Sequence, residues 1–277
     1  MICLKNAEPI QTLSILDRAF QYGDGFFSTA RYQQNHLQLK SLHMARISDT
    51  SRRLQLKFDL KLLEKSFDYL HQQFPILNGT LKILVSRGIG DRGYAMPDHD
   101  ADLYCYFYPQ ADVTAQVEII DSGVLDQAIG LCMPNLVGIK SLNRLEQVLL
   151  KQEANEKKWL EALVTDVQGG IVEGVSSNCF IKINNEWITP DLRYNGVHGV
   201  MRAEILARMN QANIACIPRF MGIEEIQQIQ SLFFCNALSP MKAVRQLGNR
   251  ALEVEPCIQL FDTLHLDQLS HHADSKT

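Results

Sequence analysis

The chain has 277 residues, 46% of them hydrophobic and 21% charged, with a formal net charge of −4. That balance describes a soluble globular protein of roughly two domains with a substantial core, and it offers no basic surface for nucleic acid or an anionic membrane. No apolar run nears the roughly 20 residues that cross a bilayer, and the N-terminal MICLKNAEPIQ lacks the apolar core and cleavage site of a signal peptide.

Residues 1–15 read as a short strand and turn. Residues 17–25, DRAFQYGDG, read as a loop whose glycines permit tight turns. A strand over 26–32 carries Ser28, Thr29 and Arg31, and residues 36–39 return as its hairpin partner. Ser41 is positioned to cap a helix reaching residue 53, with His43 and Arg46 one turn apart. In a second helix, residues 60–74, Leu63, Phe67, Leu70 and Phe74 recur at helical spacing and should be core. Strands are predicted over 81–87 and 103–108. The polar stretch 109–116 reads as a linker between a smaller domain, 1–108, and a larger one, 117–277.

In the second half, strands are predicted at 117–120 and 129–133, followed by a helix with Leu142, Leu145 and Leu149 as its apolar face. Residues 161–166, 171–175 and 179–183 read as a meander. Gly199 opens a helix to about residue 210, and a short helix is predicted at 224–229. Strands follow at 232–235 and 243–246, then a last helix from Pro256. The tail 271–277 is expected to be disordered.

Two residues carry most of the chemical signal. Lys140 is the only cation in an apolar or small run from 136 to 142, and desolvation would free its amine as base or nucleophile. Glu173 lies 33 residues later in the strand-like run GIVEGV. Read singly, the first is also a solvated lysine before a helix and the second a glutamate facing water. Gly196–Met201 leads into a helix whose first N–H groups suit an anion. Arg46 and the Asn236-Ala-Leu-Ser loop are further anion candidates, each with the plain alternative of a surface arginine or a strand end.

Other motifs are excluded by context. G-x-G-x-x-G at 88–93 is followed by YAMPDHD, which cannot open the helix that dinucleotide binding needs. No G-x-S-x-G or H-E-x-x-H occurs, the eight histidines lack ligand spacing, and no metal site is expected. The seven cysteines contain no C-x-x-C pair and read as packing thiols of a reduced, cytoplasmic protein.

The order of DRAFQYGDGFFSTAR, HMARI, SRGIGDRGY, GIKSLNRLEQVL, EGVSSNCF, GVHGVMR and FFCNALSP resembles the fold-type-IV pyridoxal-phosphate enzymes. These include branched-chain and D-amino-acid aminotransferases and the aminodeoxychorismate lyases. KSLNRLEQ and SRGIGDRGY look most like the lyases. The resemblance implies a two-domain α+β fold, a homodimer, and pyridoxal 5'-phosphate as cofactor. The implied reaction converts 4-amino-4-deoxychorismate to 4-aminobenzoate and pyruvate, with transamination of branched-chain or D-amino acids as the alternative. By the same resemblance, Lys140 bonds to the cofactor and moves protons, and Glu173 holds the pyridine nitrogen protonated. Arg46, Val200, Met201, Asn236 and Ala237 fall on the phosphate cradle, and Ser176, Ser177 and Asn178 on ring contacts. Arg31, Arg87, Arg92 and Arg144 are candidates for the substrate's carboxylates, because arginine grips a carboxylate bidentately. Thr29 matches the hydroxyl that assists proton delivery in the lyases.

Overall fold

The computed structural model describes residues 1–112 and 114–269; the expected disorder at 271–277 lies outside them. The described residues fall into two compact units. One comprises residues 1–112 with Lys140–Asn143, and the other comprises Thr114–Ile139 with Arg144–Leu269.

The first unit contains β1 (Ile2–Lys5), β2 (Glu8–Pro9), α1 (Arg18–Tyr22), β3 (Gly25–Gln33), β4 (His36–Leu37), α2 (Lys40–Leu54), α3 (Lys61–Gln73), β5 (Gly79–Ser86) and β6 (Asp102–Pro109). Its antiparallel sheet has the order β2-β1-β6-β5-β3-β4. Period-two alternation sends Phe26, Ser28, Ala30 and Tyr32 of β3 inward, with Leu81, Ile83 and Val85 of β5 and Leu103, Cys105 and Phe107 of β6. α3 covers that layer as its spacing requires, with Leu63, Phe67 and Leu70 buried and Phe67 edge-on to Tyr32 at 6.2 Å.

Two local expectations change. The 17–25 segment holds a short helix, because the Asp17 carboxylate accepts the Ala19 N–H at 2.8 Å and Gly23 closes the turn in the left-handed region at φ +64°. α2 has no side-chain cap from Ser41; it starts at Lys40 after Leu39, which itself sits at φ 54°. A third difference matters for function. Lys140–Asn143, expected in the C-terminal domain, clusters with the first unit. The Phe27 N–H donates to the Lys140 carbonyl at 3.0 Å and the Leu142 N–H to the Gly25 carbonyl at 3.0 Å, so the segment runs as a partner of β3.

The second unit contains β7 (Glu118–Ser122), α4 (Leu145–Glu156), β8 (Leu163–Thr165), β9 (Ile171–Gly174), β10 (Asn178–Ile183), β11 (Glu186–Pro190), α5 (Val200–Gln211), β12 (Cys216–Arg219), β13 (Ser231–Asn236), β14 (Ser239–Leu247), β15 (Arg250–Ala251) and α6 (Glu255–Thr263). The main sheet runs β12-β11-β10-β13-β14-β15, with β7 added in parallel to β14. Its core joins Cys179, Ile181, Leu232, Phe234 and Val244, and a second cluster joins Leu150, Ala154, Val164 and Val172.

The expected meander is divided. β8 and β9 form a two-stranded sheet of their own, while β10 belongs to the large sheet. Residues 129–133 form no strand; Ile129 makes an isolated bridge to Asp166, and a 3-10 turn follows at Pro134–Leu136. α4 inverts the expected face. Leu150 and Ala154 are buried, whereas Leu145 and Leu149 are 71% and 45% exposed. The 224–229 helix is a 3-10 helix, Ile223–Gln228.

Candidate active site

In the first unit, β3 presents different chemistry on its two faces. Phe27, Thr29 and Arg31 are half-buried on one side, whereas Ser28 and Ala30 are fully buried on the other. The Lys140 ammonium lies 4.8 Å from the centroid of the Phe27 ring, a cation–π distance. A second amine shares that ring. Lys82, directly across the ladder from Thr29, places its Nζ 4.6 Å from the same centroid. Burial pushes the Lys82 pKa down, and no acidic side chain among the described residues pairs with it. Sequence reasoning missed Lys82. The signal was there, a lone cation in the apolar strand LKILV.

Arg31 shares the Thr29 face, its pKa pulled down by burial and held up in part by Asp112. Arg87 does not fit the role expected of it. Its Nε donates to both Asp24 oxygens at 3.0 and 2.8 Å, Nη1 to the Gln55 carbonyl and Nη2 to that of Leu54. These bonds use three of its five N–H groups and tie α2 to the Asp24 turn. Arg92 sits exposed in the loop between β5 and β6.

Behind β3, Arg46 and His43 of α2 meet Ser28. Arg46 Nη2 donates to Ser28 Oγ, and His43 Nδ1 lies 2.6 Å from the same oxygen. Arginine only donates, so Ser28 Oγ accepts from Arg46, and a serine proton directed at Nδ1 corresponds to the Nε2–H tautomer of His43. His43 Nε2 and Arg46 Nε are both buried without a hydrogen-bond partner among the described residues. Burial pushes the Arg46 guanidinium down to about 10, and no carboxylate pairs with it among those residues. A buried guanidinium of this kind has the capacity to bind an anion.

Burial and the neighbouring Arg46 charge lower the His43 pKa to about 3. Its unfolded value, about 6.5, is higher, so the unfolded chain takes up the extra proton. The neutral imidazole therefore contributes stability that is complete above about pH 6.5 and is lost as the pH falls toward 3. Urea unfolding should show His43→Gln losing stability with acid less steeply than the parent, by up to about 1.4 kcal/mol per pH unit. Equal slopes from pH 6.5 to 4 would remove His43 as the cause.

In the second unit, Glu173 does not face water; it is 7% exposed. Its Oε2 accepts the Val197 N–H at 2.9 Å and the Asn178 amide at 3.2 Å. Asn178 also donates to the Val197 carbonyl at 2.9 Å. The same side chain lies where a Cβ on Gly199, the N-cap of α5, would fall, with Oδ1 only 2.0 Å from that position. Glu173, Asn178 and the start of α5, where Val200 and Met201 lie, are thus one construction. No side chain caps α5, so its first N–H groups keep their capacity for an anion. Arg144 donates to the Ile139 carbonyl at 3.0 Å. Burial lowers its pKa, and the Glu173 charge opposes that shift.

Ser176 and Ser177 turn inward to a residue that the sequence reading did not single out. Both hydroxyls donate to Glu161 Oε1, and the Ser176 N–H donates to Oε2. Asn236 joins them through its Nδ2, 3.1 Å from Ser177 Oγ, while its Oδ1 accepts the Leu238 and Ser239 N–H groups at 3.0 Å. Ala237 is the half-buried residue at the tip of that turn.

Residues 25–247 match the amino-transferase class IV family. The chain belongs to that family. A solved 4-amino-4-deoxychorismate lyase from Pseudomonas aeruginosa is similar, with a TM-score of 0.86 and 30% identity over 96% of this chain and 99% of its own. The aminodeoxychorismate lyase of Vibrio harveyi is 28% identical over 238 residues, 84% of this chain and 86% of its own. The Escherichia coli branched-chain amino acid aminotransferase superposes nearly as well, at a TM-score of 0.85, but with 18% identity over 99% of this chain and 96% of that one. Class IV membership therefore accounts for the α+β architecture, and backbone shape alone does not separate lyase from aminotransferase.

Proposed function

We propose that the chain is a pyridoxal-phosphate-dependent lyase that converts 4-amino-4-deoxychorismate to 4-aminobenzoate and pyruvate. One observation carries the choice of chemistry: the Lys140 amine and the Thr29 hydroxyl belong to the Phe27 side of one strand. The higher identity to the two lyases supports it. The residues fit the cofactor. Arg46 offers a buried N–H without a partner and no competing carboxylate, which suits a phosphate, as do the uncapped start of α5 at Val200 and Met201 and the Asn236–Ala237 turn. The buried Glu173 carboxylate suits a protonated ring nitrogen.

Pyridoxal phosphate, when bound, supplies an electron sink for a C–H bond beside an amine. Lys140 takes the proton from that carbon. The Thr29 hydroxyl delivers or relays a proton to the departing enolpyruvyl group. Glu173 keeps a proton on the pyridine nitrogen. Lys82 and Arg31 supply positive charge on the Thr29 face for the substrate's carboxylates, whereas Arg87 is engaged by Asp24. Formation of an aromatic product drives the elimination forward. Mixing the purified protein, pyridoxal phosphate and aminodeoxychorismate should yield fluorescent 4-aminobenzoate and pyruvate in equal amounts. Amino transfer from branched-chain or D-amino acids to a 2-oxo acid, without aminobenzoate, would instead establish the aminotransferase reading that the family also allows.

Thr29→Val, nearly isosteric, should slow aminobenzoate formation by roughly tenfold or more, at the weak end of general-acid assistance because a hydroxyl is a poor acid. Thr29→Ser should keep most activity. If the valine variant matches the parent, Thr29 only packs and another group delivers the proton. Lys82→Met should raise KM about tenfold to a hundredfold, the cost of one charge-assisted contact, with a much smaller change in kcat. An unchanged KM would place the carboxylate elsewhere.

We further propose a homodimer in the cytoplasm. Leu145, Val148 and Leu149 form an exposed apolar face on α4 that suits a second copy. The seven cysteines are all free thiols, which suits a reducing compartment.

A further inference from the structure

Glu161 is 2% exposed, and no cation pairs with it among the described residues. Three hydrogen bonds hold it instead. It accepts the Ser176 N–H at 3.2 Å, the Ser177 hydroxyl at 2.9 Å and the Ser176 hydroxyl. Its position is fixed from behind, because the Ser122 hydroxyl donates to its backbone carbonyl at 2.9 Å. From the front, a Cβ on Gly174 would come within 2.8 Å of Oε2.

The direction of both serine bonds in this network follows from that one acceptor. An ionised carboxylate only accepts, so both serine protons point at Glu161. Ser177 Oγ then has only lone pairs left, and it meets the Asn236 Nδ2 donor at 3.1 Å. That contact agrees with the way the Asn236 amide faces, since Nδ2 also donates to the Ser176 carbonyl at 3.4 Å. With its nitrogen toward Ser177, its oxygen accepts the Leu238 and Ser239 N–H groups, which shapes the turn between β13 and β14. We propose that Glu161 is a positioning residue that sets the hydrogen-bond polarity of Ser176 and Ser177, leaves Ser177 Oγ as an acceptor for Asn236 and so pre-organises two loops to receive the cofactor. The inference rests on the pyridoxal-phosphate reading above. It also limits the serines' part: with both protons committed to Glu161, they cannot donate to a phosphate and present only oxygen lone pairs.

The test is titration of the cofactor-free protein with pyridoxal phosphate, followed by absorbance, together with thermal melts and kcat at saturating cofactor. The parent is titrated first. If it does not bind, the functional reading fails, independently of Glu161. If it binds, Glu161→Gln should weaken the affinity about tenfold to a hundredfold, because its single amide oxygen can face either the two serine hydroxyls or the Ser176 N–H, and the NH₂ then meets a donor on the other side. Its melting temperature should fall by only a few degrees, the effect of about one buried donor left unpaired, and kcat at saturation should change far less than affinity. Glu161→Asp, which keeps the acceptor, should lie between the two. A folded Glu161→Gln that binds as tightly as the parent overturns the proposal. Should that variant fail to fold, Ser177→Ala decides. It removes the link between Glu161 and Asn236, so weakened affinity supports the proposal and parental affinity overturns it.

Discussion

Lys140→Ala is expected to give a folded protein with essentially no 4-aminobenzoate formation, a loss of at least about a thousandfold. The fold should survive because the bonds anchoring this segment to β3 are made by main-chain atoms, the Lys140 carbonyl and the Leu142 N–H, which alanine leaves in place. The chemistry should not. A positioned proton-transfer group alone contributes about 10²–10⁴-fold, and the covalent link to the cofactor is lost with it. Borohydride treatment of the loaded parent should label Lys140, and the label should vanish in the variant. The informative competitor is Lys82, whose amine shares the Phe27 ring. Label on Lys82, Lys151 or Lys157, or substantial turnover in Lys140→Ala, would overturn the assignment.

Glu173→Gln should reduce turnover on the order of a hundredfold, the scale of losing one pre-organised charge at a reacting group. Glutamine is the better probe than alanine. An amide oxygen can still accept the Val197 N–H and the Asn178 amide, whereas alanine strands two buried donors at about 1–3 kcal/mol each. The melting temperature of Glu173→Gln should therefore stay close to that of the parent while kcat falls, with cofactor still bound. Parental turnover in the glutamine variant would reduce Glu173 to a structural acceptor for the start of α5.

What could be read from the sequence divides by the range of the interaction responsible. The apolar spacing of Leu63, Phe67 and Leu70 is local, and those residues are buried in the structure. The alternation in β3 is also local and puts Thr29 and Ser28 on opposite faces. The same kind of pattern misled in α4, where Leu145 and Leu149 follow helical spacing yet lie exposed. Spacing identifies a stripe but not what covers it. Arg87 could not be assigned from sequence, because Asp24, the carboxylate that occupies it, is 63 residues away. Glu161 was hidden for a related reason. It reads as the polar first residue of a strand, and its serine partners lie 15 and 16 positions further on. The Lys140 segment carried strong local chemistry, but its association with β3 rests on backbone bonds that no side-chain pattern encodes.

The two-faced character of β3 also bears on how this chain can vary over evolutionary time. In most half-exposed strands one face tolerates change, so a small insertion that slips the ladder is damaging mainly through the buried side. Here a one-residue slip exchanges the two faces, placing Ser28 where Thr29 stands opposite Lys82 and removing the oxygen shared by His43 and Arg46. Gly25 blocks compensation at the entrance, since a Cβ there would meet the Val85 carbonyl at 2.2 Å. Residues 25–33 should therefore admit neither insertion nor deletion, while the neighbouring connection from 90 to 98, outside the ladder, has room to change length. In a library of single-residue insertions selected for activity, survivors should be absent from the first stretch and present in the second.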